Sequence, residues 1–292
     1  MSSQSEIEKI KQLREITGVG FKDCKTAIDE TKGNIDKAID FLRKKGISKA
    51  NKKMERVAAD GLVSVFEKDS NYAMVEINSE TDFVAKNKLF LTFAEEIAEL
   101  ALTKSGKMED ILTTEMVNKK KVKDNLVELI SKIGEKITFR RSAFIGSNKS
   151  INFSYTHSSL KKNVGKLGVL LSIETTKQKN EILDIGKYLA MHIAATSPLA
   201  IDSDDLDKNT LQKEKEIITE ELKSSGKDPK IVDKIAAGKL NKFIADNTLL
   251  NQEWIIEPKK KVRNVLKEAA GDGKIIIKKF VRFKVGEGVY KS

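Results

Sequence analysis

The sequence predicts an α+β protein. It reads as a small N-terminal three-helix unit, a core of two related α+β halves with antiparallel strands, and an inserted antiparallel helical hairpin. Three observations predict this. Apolar residues recur at helical spacing three times within residues 5–46. Runs rich in Val and Ile come in neighbouring pairs joined by short polar turns. The order strand, polar turn, helix then occurs twice, related by a gap-free shift of 96 residues.

In the first unit, Ile7, Ile10 and Leu13 keep one helical stripe, which "TGVGF" (17–21) breaks with two glycines. Cys24, Ala27 and Ile28 form a second stripe, ended by "TKGN" (31–34), and Ile35, Ala38, Ile39 and Leu42 form a third. Asn34 suits an N-cap and Gly46 a C-terminal stop. From Arg43 to Arg56, "RKKGISKANKKMER" has seven basic residues against one acid and almost no apolar pattern, so it reads as a basic linker.

Two alternating strands follow, "GLVSVFEK" (61–68) and "YAMVEINS" (72–79), closed by the turn "DSN". A helix is expected from about Lys86 to Thr103, with Leu89, Phe90, Phe93, Ala94, Ile97, Leu100 and Ala101 on one broad stripe. Residues 108–136 hold one or two more helices. Strands are expected at 137–145, 152–157 and 167–175, then a helix from about Glu181 to Ala195. The shift places Ile77 on Ile173, Ala94 on Ala190, Ile97 on Ile193 and Ala98 on Ala194. These identities are few, and the shared element order carries the inference of two related halves. Residues 202–239 give two helical runs with thin apolar stripes, broken by "SSGKDPK" (224–230), as a projecting hairpin would. Pro229 suits the first turn of its helix. A helix over 259–270, the turn "GDGK" and a strand over 275–286 end the chain, the strand placed to pair with the second half's sheet.

The composition bounds the function. The apolar share is 39%, a third of the residues are charged, and the net charge is +11. A basic surplus favours nucleic acid, an anionic membrane or an acidic protein, and solvated lysine faces account for it equally well. Cys24 is the only cysteine, so no internal disulfide forms and a reducing, cytoplasmic setting is expected. No apolar run approaches the roughly 20 residues of a membrane span.

Few residues could carry bond chemistry. The two histidines, His157 and His192, are far apart and lack other metal ligands at suitable spacing. His192 lies in the apolar run "YLAMHIAA" and reads as a packed histidine, His157 as an exposed one, and Cys24 as a buried thiol. "GDGKIII" lacks the spacing and hydroxyl of a phosphate loop, and "GVGFKDC" and "GEGV" fail the dinucleotide pattern. No metal site, cofactor or nucleotide site of the chain's own is expected, and the chain does not read as an enzyme. Aromatics do not punctuate the basic runs, including "KKKVR" (259–263), which argues against single-strand nucleic-acid binding.

One segment stands apart. "SETDFVAKN" (79–87) places an acid, Phe83 and Val84 in a turn between strand and helix. Ser79 and Asp82 have the spacing of a capping box. Extending the helix backwards puts Phe83 near the apolar stripe and Val84 opposite. Phe83 is then either a first-turn core residue or an aromatic anchor for a partner's pocket, and the pattern leaves both open.

The segments "LREITGVGFKDCKTAI" (13–28), "AADGLV" (58–63), "ETDFVAKN" (80–87), "KIGEKITFRR" (132–141), "MHIAATSP" (191–198) and "RFKVGEGV" (282–289) resemble the elongation factor Ts family, in family order over nearly the whole chain. The resemblance implies a guanine nucleotide exchange factor for elongation factor Tu, in its GDP-bound and nucleotide-free forms. It implies a ubiquitin-associated-type (UBA-like) three-helix domain with the linker (1–55), a first core subdomain (56–138), and a second (139–200 and 239–272). An inserted coiled-coil hairpin (201–238) and a short C-terminal module (273–292) complete the chain. Carried over, Phe83 is the wedge that disturbs the partner's bound Mg²⁺, Asp82 is a polar or capping neighbour, and Thr81 and Val84 make supporting contacts with the partner. Ile133 and Gly134 match a segment near the same interface. Val19 and Phe21 match the loop and helix start that dock on a helix of the partner's G domain. His157 matches a histidine that touches the partner beyond the nucleotide region. The chain differs from many relatives in stopping at Ser292, short of a further helix, and in a longer loop over 156–168 that could displace His157. A homodimer through the hairpin stays open, and a basic RNA- or ribosome-binding protein without exchange activity is the alternative function.

Overall fold

The computed structural model describes residues 5–53, 55–146, 149–224 and 229–289. Met54 of the basic stretch, residues 225–228 of the "SSGKDPK" turn and the last three residues lie outside them.

Helices α1 (Glu6–Thr17), α2 (Phe21–Glu30) and α3 (Ile35–Lys53) form the N-terminal bundle around Leu13, Cys24, Ala27, Ile28 and Ala38. Ser5 caps α1 in a capping box with Glu8, and the Asn34 side chain accepts the Lys37 amide at 2.9 Å, as its N-cap position predicts. Gly46, however, does not stop α3. A Cβ there would lie 3.0 Å from Ser131 Oγ, so the glycine allows close packing on the core, and the helix runs on through the basic stretch to Lys53. Residues 43–53 are thus helix braced by a neighbour, not a free linker. The contacts that hold the described part of this stretch lie far along the chain, Gly46 against Ser131 and Lys53 Nζ on the Gly134 carbonyl.

The core begins with β1 (Asp60–Lys68) and β2 (Asn71–Ser79). Helices α4 (Lys88–Thr103), α5 (Met108–Thr113) and α6 (Val122–Ile133) follow, then β3 (Ile137–Ile145). Next come β4 (Ile151–His157), β5 (Val164–Gly165), β6 (Leu167–Thr175) and α7 (Leu183–Thr196). Helices α8 (Lys208–Ser224), α9 (Pro229–Asn247) and α10 (Val262–Ala270) lead to β7 (Ile275–Lys284). All ladders are antiparallel, in a sheet ordered β3-β2-β1-β5 and a sheet ordered β4-β6-β7. As expected, β7 joins the second half's sheet.

Neither β1 nor β2 alternates in burial, contrary to the sequence expectation: Gly61–Val65 and Tyr72–Ser79 are buried without a break. The sheets stack face to face, so these strands are covered twice. Leu62, Ala73, Val75 and Ile77 face α4 and α6, whereas Val63, Val65, Tyr72 and Met74 meet Leu170 and Phe283 of the other sheet. Val169, Leu171 and Ile173 face α7 and α10 in the second core. The approach is close at Gly168, where a Cβ would come within 2.6 Å of Met74 Sδ. The molecule is therefore a stack of helices, sheet, sheet, helices.

Glu76, fully buried, ties this stack together. Its carboxylate accepts from Arg140 Nη1 (2.9 Å), Arg141 Nε (2.5 Å), Asn78 Nδ2 (3.0 Å) and the Gly286 amide (2.9 Å). The Arg141 guanidinium also lies over the Phe283 ring, 4.2 Å from its centre. A buried charge is tolerable only when so fully partnered.

Helices α8 and α9 pack on each other through Ile218, Leu222 and Val232, a small cluster of their own. The hairpin's base is held where Ala200 bridges Thr248.

Candidate functional site

The candidate site is the turn that leaves β2. Asn87 caps α4 through its side chain, which accepts the Leu89 amide at 2.9 Å, while its own backbone is extended at ψ 130°. That break uncouples residues 84–86, which form a separate 3-10 turn. The Ala85, Lys86 and Asn87 amides donate to the carbonyls of Asp82, Phe83 and Val84. The expected Ser79–Asp82 capping box is absent. Buried Ser79 Oγ donates to the Thr81 carbonyl at 2.8 Å, and exposed Asp82 contributes its carbonyl, not a side-chain cap, to the turn.

The break also reverses the facing of two side chains. Val84 is 5% exposed and enters the first core, whereas Phe83 is 77% exposed. Backward extension of α4 gave the opposite result because it assumed that the helical phase runs through Asn87. Phe83 is therefore not a first-turn core residue.

The turn is gripped from the loop between α6 and β3. Glu135 accepts the Thr81 amide at 2.9 Å and the Thr81 hydroxyl at 2.7 Å. Glu80 reaches the other way and accepts the Lys136 amide at 2.6 Å and Arg56 Nη1 at 3.2 Å. Lys136 Nζ donates to the Arg56 carbonyl at 2.7 Å, and Lys53 Nζ to the Gly134 carbonyl. Gly134 ends α6 at φ +87°, a left-handed cap, and Ile133 packs on the first core. Thr81, Asp82, Phe83, Val84, Ile133 and Gly134 are thus gathered into one braced corner, with the end of α3 strapped to it.

Val19, Phe21 and His157 sit on other elements. Val19 leans on the bundle core, its carbonyl accepting from Cys24 Sγ at 3.4 Å. Phe21 opens α2 and is 50% exposed. Val19 also lines a groove between the bundle and α6, with Leu42, Val127 and Lys132. His157 ends β4, exposed, with Nδ1 2.9 Å from the Tyr155 hydroxyl. The longer loop after it is folded: Lys161 pairs with Glu95 at 2.5 Å, and Val164–Gly165 join the first sheet as β5.

The remaining reactive groups are structural. Burial pushes the Cys24 thiol up, so the thiolate is disfavoured. His192, fully buried, stacks on Trp254, contacts Gln252 Oε1 through Nε2 at 3.0 Å and takes the Ile255 amide on Nδ1 at 3.4 Å. Its ring is therefore neutral, with the proton on Nε2. Among the described residues no cluster of His, Cys, Asp and Glu could hold a metal ion, and no helix is long and apolar enough to cross a membrane. The arrangement offers an exposed aromatic ring on a hydrogen-bonded turn. Sequence reasoning missed Glu80, Glu135 and Arg56, which follow no periodicity and pair across long sequence separations.

The chain is similar to known proteins over almost its full length. A family model described as "Elongation factor TS" matches residues 80–287. The chain is 42% identical over 287 residues to "Elongation factor Ts" of Bartonella tribocorum, covering 97% of this chain and 94% of the relative. It is 40% identical over 288 residues to that of Maricaulis maris, covering 97% and 92%. For that of Methylobacterium nodulans the identity is 42% over 286 residues, covering 97% and 92%.

Proposed function

The chain belongs to the elongation factor Ts family, and from that premise we propose that it is a cytoplasmic guanine nucleotide exchange factor that acts on elongation factor Tu during translation elongation. The observation that carries the mechanism is the Phe83 ring, 77% exposed at the head of a turn braced on both sides. Leaving so large an apolar surface in water has no benefit for the free protein, and aromatic anchors dominate interface energies.

In this proposal Phe83 enters the partner's G domain beside its nucleotide site and shifts the side chains that surround the bound Mg²⁺. Thr81 and Asp82 line the entry, Val84 supports the ring from the core, and Ile133 and Gly134 extend the contact. The three-helix bundle acts as a UBA-type docking domain through Val19 and Phe21. His157 meets the partner beyond the nucleotide region, and the α8–α9 hairpin is the family's coiled-coil insertion. The division into subdomains given above is part of the same proposal.

No acid, base or nucleophile is needed. A protein that binds the nucleotide-free partner better than the GDP-bound one weakens GDP binding by the same factor, because linkage is reciprocal. GTP then binds and expels the factor.

The test is release of a fluorescent GDP analogue from purified elongation factor Tu, with and without this protein. Accelerated release supports exchange; a stable complex without acceleration would leave an interaction module instead. The alternative, a basic RNA- or ribosome-binding protein, predicts tight RNA binding that persists at physiological salt.

A further inference from the structure

The two halves are built alike, and the place where they differ singles out one residue. Both central strands carry a bulge at the same position, between Glu76 and Ile77 in β2 and between Ser172 and Ile173 in β6. Across the ladder Ile77 faces Phe139, as Ile173 faces Ile277. Counting onward from these pairs, Glu80 corresponds to Thr176, Lys136 to Lys274, and Glu135 to Gly273.

The cross-link between turn and strand is the same in both halves. The Lys136 amide donates to Glu80 Oε1 at 2.6 Å, and the Lys274 amide to Thr176 Oγ1 at 3.1 Å. The preceding residue is not the same. In the first half, Glu135 takes both the amide and the hydroxyl of Thr81. In the second, Gly273 has no side chain, a Cβ there would lie 2.9 Å from Thr176 Oγ1, and the Lys177 amide turns to its neighbour Thr175 Oγ1 at 3.0 Å. One bond therefore suffices to join turn and strand in this fold. Glu135 adds a second, charge-assisted grip two residues before the exposed ring. At Phe83's counterpart, Lys179, the side chain lies over Tyr72.

We infer that Glu135 is a positioning residue for Phe83. It holds the turn so that the ring meets the partner already oriented, and the ordering cost of binding falls accordingly. This rests on the exchange function proposed above.

Two measurements separate the inference from that function. In the free protein, Glu135→Ala should speed amide hydrogen exchange at Ala85, Lys86 and Asn87 by on the order of ten-fold or more, because the grip on the turn is lost. Unchanged exchange there overturns the inference whatever the partner does. In stimulated release of fluorescent GDP from elongation factor Tu, Glu135→Ala should slow the reaction by on the order of ten-fold. It should have no further effect in a Phe83→Ala background. Glu135→Gln should recover most of the rate, since its carbonyl can accept the Thr81 amide and its NH₂ can donate to the Thr81 hydroxyl. Equal slowing with and without the ring, or a Gln variant as slow as Ala, overturns it. If Glu135→Ala does not fold, Thr81→Val, which removes only the hydroxyl bond, replaces it in both measurements, with about a three-fold effect expected from one lost hydrogen bond. Failure of the exchange function itself shows separately, as no acceleration by the unaltered protein.

Discussion

Phe83 and Val84, adjacent in sequence, face opposite ways from one turn: the first is 77% exposed and the second 5%. The pair separates what the turn presents from what anchors it. Phe83→Ala should leave stability within about 0.5 kcal/mol of the original, because the ring touches little of its own molecule. Stimulated GDP release should fall roughly 30-fold, as removing an interface anchor of about 2 kcal/mol would cause. Melting curves and stopped-flow release check both; unaltered release by the folded variant removes Phe83 from the mechanism.

Val84→Ala should act through stability. Deleting two methyl groups from a closed part of the first core costs about 2 kcal/mol, and the melting temperature should drop by about 5 °C. A melting temperature equal to that of the unaltered protein would place Val84 outside the core in solution.

Glu76→Ala should be the most damaging of these changes. It leaves Arg140, Arg141, Asn78 and the Gly286 amide short of a buried acceptor, at a cost of about 3–5 kcal/mol. Glu76→Gln keeps an acceptor and should lose less. Urea titrations of the two variants and the unaltered protein give the comparison, and variant midpoints equal to that of the unaltered protein would mean that the carboxylate does not hold the stack.

Stability should also fall in mild acid through His192. Burial pushes its pKa down from the ordinary 6.5, so the folded state binds its proton less readily than the unfolded state. This contribution is complete above about 6.5 and is lost as the pH falls towards the folded pKa, by at most about 1.4 kcal/mol per pH unit. His192→Asn should lower stability throughout but flatten the slope between pH 7 and 5. An unchanged slope would assign the acid sensitivity to other groups.

Much of the architecture was legible because it rests on apolar periodicity. The strand pairs and the three-helix bundle followed from spacing, the two halves were inferred from element order, and β2 and β6 each carry a bulge, at Glu76/Ile77 and Ser172/Ile173. What escaped depended on contacts across the molecule. Helix α3 passes Gly46 because Ser131 lies against it. The facing of Phe83 and Val84 turns on one extended residue, Asn87, which resets the helical phase. The grip of Glu135 on Thr81 joins residues 54 positions apart, and no local pattern encodes such a pair.

The two residues of β5 carry a consequence for synthesis. They lie just ahead of the second sheet's central strand, yet they pair with Val63 and Ser64 in the first, where the Asn163 carbonyl also takes the Val65 amide at 2.8 Å. A nascent chain emerging from its exit tunnel therefore keeps an open edge on its earlier half until residue 165 is free. A pause in translation before that point would prolong the exposure of this edge, which is open to pairing with another chain.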